Sequence, residues 1–265
     1  MNQKRPRFFF AVLIVASLAS SSCGWIDSLK ARDEINKGVK AYTEKAYPTA
    51  VEHFSRAAEL DPGLLVAKLY LAHSYRHQWT PDDPAEGNLA NARQAIQAFE
   101  NVLLDDSKND NALASIASIY DGLGEADHAK QWYRKRIEAE PENPEPYYGI
   151  GRINQRLSEE LTGSDGVNVE NLSEEELAQA QQYTDEGVKE LKLALELDPE
   201  YANAVEYLNL IYREKAYLSV DEDEKERWQR EASRLSLQVI ELRRKQKLRA
   251  EQEGHEFFKT DSEDK

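Results

Sequence analysis

The chain has 265 residues, 49 acidic against 34 basic side chains, a net charge of −15, and 40% hydrophobic residues, enough to build a core. Such acidity excludes nucleic acid as a partner of the body, because that binding needs a basic face to displace counterions, and it opposes adhesion of the body to anionic lipid. The single cysteine, Cys23, excludes an internal disulfide.

In chain order, the first predicted element is an export signal over residues 1–22. Lys4, Arg5 and Arg7 precede an apolar run from Phe8 to Ala19, and small residues follow up to Cys23. Those twelve apolar residues fall short of the roughly 20 that a membrane-spanning helix needs. The alternative is an uncleaved anchor helix extended through the serines to Ile26. Leu18-Ala19-Ser20-Ser21-Ser22-Cys23 resembles the lipobox of bacterial lipoproteins, with Ser20 where an aliphatic residue is usual and Gly24 next in line. The resemblance implies lipidation of Cys23, in place of a free thiol or an intermolecular bridge. Multiple acyl chains would hold the protein stably at a membrane. It also implies a lipoprotein facing the periplasm, and the absence of aspartate after the cysteine points to the outer membrane. Cleavage would remove three cations and no acids, taking −15 to −18. Residues 23–30 then read as a linker.

Beyond it one spacing recurs: Gly38, Ala50, Phe54, Ala57 and Pro62 lie at gaps of 12, 4, 3 and 5. Further copies carry Ala72, Ala95 and Phe99; Ala117, Ala129, Tyr133 and Pro141; Gly151, Gly187, Leu191, Ala194 and Pro199; and Leu208, Tyr212 and Ala232. Arg136 stands where a small residue is usual, and Ser107 where proline is. The phrases Glu59-Leu60-Asp61-Pro62 and Glu196-Leu197-Asp198-Pro199 repeat nearly intact. This pattern resembles the tetratricopeptide repeat, a 34-residue helix–turn–helix unit. The resemblance implies an all-α fold over 31–252: a right-handed superhelix, or α-solenoid, of about five helix pairs, with repeats near 31–64, 65–109, 110–143, 144–201 and 202–249.

Three units carry extra residues between their paired helices. The small-to-small gap is 23 from Ala72 to Ala95, 36 from Gly151 to Gly187 and 23 from Asn209 to Ala232, against 12 expected, so the insertions measure 11, 24 and 11. They should project as loops from one edge. Pro81, Asp82, Asp83 and Pro84 mark the first, and Gly163 to Gly166 the second. Ser173 with Glu176, and Asp221 with Glu224, fit the capping box that opens a helix. Turn glycines at 122 and 124 split the third unit. A long C-terminal capping helix carries Trp228, Ala232, Leu235, Val239 and Leu242 on its apolar stripe, with Arg243 to Arg249 as a solubilising face. The tail at 253–265, with Phe257 and Phe258, reads as disordered.

In this family the first helix of each repeat lines a concave groove. Carrying its positions across gives Tyr42; His73, Arg76 and His77; Asp121; Tyr148, Arg152, Gln155 and Arg156; and Glu206 and Arg213. The arginines favour an acidic or carboxylate-bearing peptide, since guanidinium pairs bidentately with carboxylate; the competing reading is helix residues neutralised by neighbouring glutamates. The lysine and asparagine that clamp chaperone tails in related proteins are replaced by Ile35 and Val39, which excludes that partner. No phosphate loop or nucleophile motif is present, so neither an enzyme nor a cofactor is expected. His73 and His77 have chelating spacing, but no third ligand is fixed and metal is not assigned. The resulting expectation is a membrane-anchored protein–protein interaction scaffold of the bacterial cell envelope. A metal- or solute-binding lipoprotein and a scaffold acting through its inserted loops are the alternatives.

Overall fold

The computed structural model describes residues 9–263, with side chains described over 25–252. Ten α-helices are found among them: α1 (Phe9–Thr43), α2 (Tyr47–Leu60), α3 (Leu65–Arg76), α4 (Glu86–Asp105), α5 (Asp110–Gly122), α6 (Ala126–Ala139), α7 (Pro144–Thr162), α8 (Glu174–Leu197), α9 (Ala202–Leu218) and α10 (Glu222–Glu263). The expected all-α class, with two helices per repeat, is borne out. The chain divides into two compact units, the first ending at Gly124 and the second beginning at Glu125.

In the first unit each helix from α1 to α5 packs on the next. What lets α1 and α2 approach is a missing side chain: a Cβ at Gly38 would lie 2.6 Å from the Phe54 ring. Phe54, wholly buried, fills that notch, and Ala50 and Ala57 on the same face of α2 keep the backbones close. Phe99 and Val102 on α4 and Leu113 and Ile116 on α5 continue the buried interior.

The second unit repeats the device. α7 packs on α8 and α9, α8 on α9, and α9 on α10. A Cβ at Gly151 would meet Leu191 at 2.5 Å, so Leu191 of α8 occupies the space left on α7. Ile150, Ile153, Val205, Leu208 and Ile211 are buried around it, and Ala232, Leu235 and Leu242 close the core from α10. Arg136, in a small-residue position, is buried yet carries its guanidinium out to Glu145 at 2.7 Å, which is how an arginine substitutes there.

Helix ends follow local chemistry. Asp61, Glu140 and Asp198 follow the last residues of α2, α6 and α8 with φ near −135° (−139°, −139° and −133°). A following proline pushes its predecessor out of the helical region. Asp106 takes the same conformation, φ −135° and ψ 86°, although Ser107 replaces proline, and its carboxylate accepts from Asn109 Nδ2 at 3.0 Å. Asn109 and Asn143 accept bonds from the backbone N–H of Ala112 and Glu145, and Ser173 with Glu176 forms the full capping box. Asp221 accepts from the Glu224 N–H at 2.8 Å.

Two expectations need correction. Most inserted residues do not project as loops but lengthen helices: α7 runs on to Thr162, α8 starts at Glu174, and only 219–221 separate α9 from α10. Nothing in Glu174 to Glu186 breaks a helix, so winding satisfies the backbone at less cost than a loop. Residues 25–30, expected within a linker, continue α1, with an Asp27–Lys30 ion pair at 3.3 Å. The export signal, Cys23 and the tail at 253–265 lie outside the described side chains.

Candidate functional site

In the first unit the sequence-predicted residues Tyr42, His73, Arg76 and His77 come together at one cluster. Tyr42 projects from α1 and meets the rings of Tyr47, Tyr70 and His77 edge-on at 5.5, 5.6 and 5.4 Å. His77, at the C-cap of α3, stacks flat on Tyr47 with centroids 4.8 Å apart. His73 lies one turn back and sets its ring edge-on to Phe99 at 5.1 Å. Burial lowers the pKa of both histidines, and the Arg76 charge lowers them further. Arg76 therefore carries the permanent charge of the cluster. Its Nε is buried and, among the described residues, has no hydrogen-bond partner.

Tyr47 and Tyr70 were not among the predicted positions. Tyr47 opens α2, and Tyr70 stacks on Phe54 at 5.1 Å. The signal for both was the density of tyrosine itself, which a position rule for first helices leaves out. The two histidines spend their rings on different aromatic partners. Among the described residues no three His, Cys, Asp or Glu side chains converge to hold a metal.

The second unit holds the other predicted residues, differently disposed. Tyr148 packs against Tyr201 at 5.2 Å and Tyr207 at 5.5 Å, and desolvation pushes its phenol up to about 12. Arg156 pairs with Glu160 at 2.6 Å and Arg213 with Asp165 at 2.7 Å. Arg152 lowers the Tyr148 pKa electrostatically and is itself partnered. Gln155 is buried and donates to Glu214 at 2.7 Å. Glu206 pairs with Arg243 of α10, and Asp121 lies on α5 of the first unit.

The helices pack in consecutive pairs like those of a tetratricopeptide superhelix. The tetratricopeptide repeat family model matches residues 110–143, the segment carrying α5 and α6. No curated protein sequence matches it. Among solved structures, MamA protein is 14% identical, with 80% of this chain and 94% of that one covered and a TM-score of 0.55. MamA 41-end from Desulfovibrio magneticus RS-1 is 15% identical, with coverage of 82% and 97% and a TM-score of 0.53. The MamA RS-1 ArsTM double mutant is 16% identical, covers 82% and 96%, and has a TM-score of 0.56. At these identities the likeness is one of fold.

Proposed function

We propose that the chain is a non-catalytic scaffold that holds an acidic segment of a protein partner against the Tyr42–Arg76–His77 cluster of its first unit. The observation that carries this reading is the Arg76 side chain: its Nε is buried without a partner among the described residues, and its charge acts on Tyr42, His73 and His77. A desolvated, unpaired donor favours a carboxylate from outside, because leaving it unmade costs on the order of 1–3 kcal/mol. The rings of Tyr42, Tyr47 and His77 supply flat apolar contact beside it. Tyr148, Arg152, Gln155, Arg156 and Arg213 complete the expected groove positions, yet Arg156 and Arg213 already hold carboxylates of their own.

The same reading places the scaffold in the bacterial cell envelope, exported by residues 1–22 and anchored to a membrane, in the first instance the outer one, by lipid on Cys23. Support comes from the lipobox-like sequence alone. Among the described residues no helix is long and apolar enough to cross a membrane.

The binding test is fluorescence anisotropy with a labelled library of glutamate-rich hexapeptides. Affinities of order micromolar, about −8 kcal/mol, are expected. Arg76→Glu should abolish binding and Arg156→Ala should leave it intact; binding that survives Arg76→Glu rejects this site. For the anchor, partition into detergent should be lost on Cys23→Ser.

A further inference from the structure

We propose that the outward face of α10 pairs with the same face of a second copy of the chain, the two helices running antiparallel. This surface belongs to the second unit alone and depends neither on the Arg76 cluster nor on the membrane anchor. Leu237, Ile240 and Leu248 are 71%, 66% and 49% exposed. With Arg244 between the last two, they follow one another at gaps of three, four and four, the spacing of one helix face. Leu235 and Leu242, both buried in the core, stand two residues from Leu237 and Ile240, just over half a turn away. The apolar stripe therefore lies opposite the core, on the side that α10 turns away from its own unit.

The charges around the stripe select its cover. Residues 222–233 carry five acids against three bases, a net −2, and residues 234–251 six bases against two acids, a net +4. A parallel copy would set like charge on like, whereas a reversed copy sets each half against its opposite. With the two-fold axis near Arg234 and Leu235, Glu226 faces Arg244 of the second copy and Glu222 faces Lys247 along one flank. Asp223 faces Lys245 and Arg227 faces Glu241 along the other, and the symmetry makes each pair twice. Leu237 then lies over the Ser233 turn of the second copy. Leu248 reaches the start of the other α10, beside Val220, which is 92% exposed. The overlap at 222–247 amounts to about 39 Å of helix.

Competition within one copy is weak. Arg227 holds Glu224 at 2.8 Å and Arg230 holds Glu226 at 3.1 Å, both at the exposed surface. Pairs of that kind contribute little and exchange for pairs across the two-fold at small cost. The apolar contact supplies the drive, and the charges fix the direction. α10 also outruns its support, with 42 residues against the 17 of α9, on which it packs, and Leu242 is its last buried residue among those described. A helix without a packed face is marginal in water, so a second copy steadies the turns beyond Leu242.

The test is sedimentation equilibrium of the full chain in density-matched detergent across the micromolar range, where a small interface of this kind associates. A dimer mass that is lost in Leu237→Glu/Ile240→Glu, with an unchanged helical circular dichroism signal, supports the pairing. Glu226→Lys should weaken the dimer about tenfold, and Glu226→Lys/Arg244→Glu should restore it. Were Leu237→Glu/Ile240→Glu not to fold, that loss and recovery decide the matter. Crosslinking reads the register. In a Cys23→Ser chain, Ser233→Cys should be joined to its counterpart by a short bis-maleimide and Glu251→Cys should not. A monomer throughout the range, a dimer untouched by Leu237→Glu/Ile240→Glu, no recovery in the charge swap, or joining of Glu251→Cys in place of Ser233→Cys overturns the proposal. So does a monomeric Cys23→Ser chain that floats with phosphatidylglycerol vesicles and stops floating in Leu237→Glu/Ile240→Glu, which assigns the face to lipid.

Discussion

The two units use the same helix-pair grammar and dispose of their positive charge in opposite ways. In the first, Arg76 acts electrostatically on Tyr42, with its Nε unmatched among the described residues. In the second, Arg134, Arg136, Arg156 and Arg213 each hold a carboxylate at 2.6–2.7 Å. The second unit buries a positive charge of its own, but Lys130 there donates to both Asn154 and Glu186. An arginine at a groove position is thus a charge on paper until its neighbours are known. Availability, and not residue type, separates a recognition surface from a self-neutralised one.

The comparison breaks first at the cores. Phe54→Ala removes the knob beside Gly38 and should cost about 3–5 kcal/mol, seen by chemical denaturation. Since contacts in such stacks are between neighbours, lost amide protection should concentrate in α1–α3 and spare α8–α10. Next comes Lys130, one of two buried cations described in the second unit. Lys130 donates to Asn154 and to Glu186, the latter at 3.0 Å. Lys130→Ala should cost about 3 kcal/mol, because it strips buried partners, whereas Lys130→Met should recover most of that loss.

A comparable effect depends on pH. The carboxyl of Glu214 is raised from 4.5 to about 7 in the folded chain. Its contribution is therefore fully present below pH 4.5 and is lost as pH rises through 7. Glu214→Gln should gain on the wild type by up to about 3 kcal/mol between pH 4.5 and 8, measured by melting across that range. The sign is opposite at the α1–α2 contact, where a hydrogen bond from His53 at 2.7 Å and another from Lys37 hold Glu34 below 4.5. That stabilisation is present above pH 4.5 and fades as pH falls. Smallest of all, Arg156→Ala should change stability by no more than about 0.5 kcal/mol, since exposed pairs four apart contribute little.

Local chemistry was legible in the sequence and remote pairing was not. The caps at Ser173 and Asp221, the Asp-Pro stops and the notch at Gly38 each depend on residues a few positions away or on one repeated spacing. Even the Arg156–Glu160 pair could be read, four residues apart on one helix. Arg213 with Asp165 and Gln155 with Glu214 join residues 48 and 59 positions apart, and no spacing rule announces them. The glycines at 163 and 166 did signal a bend, but not that it would roof a cavity. The inserted stretches misled because repeat arithmetic counts extra residues without saying whether they wind. Tyr47 and Tyr70 escaped because the cluster draws on the start of a second helix as well as on first helices.

The unbroken course of α1 has a mechanical meaning. From Trp25, which is 68% exposed, to Ala31, the first buried one among the described residues, the chain rises about 9 Å as helix. A tether joined there would behave as a stiff mast, not a string, and would fix the heading of the first unit relative to whatever it is moored to. Three glycines spliced in at 27–29 would cut that stay and let the unit swivel.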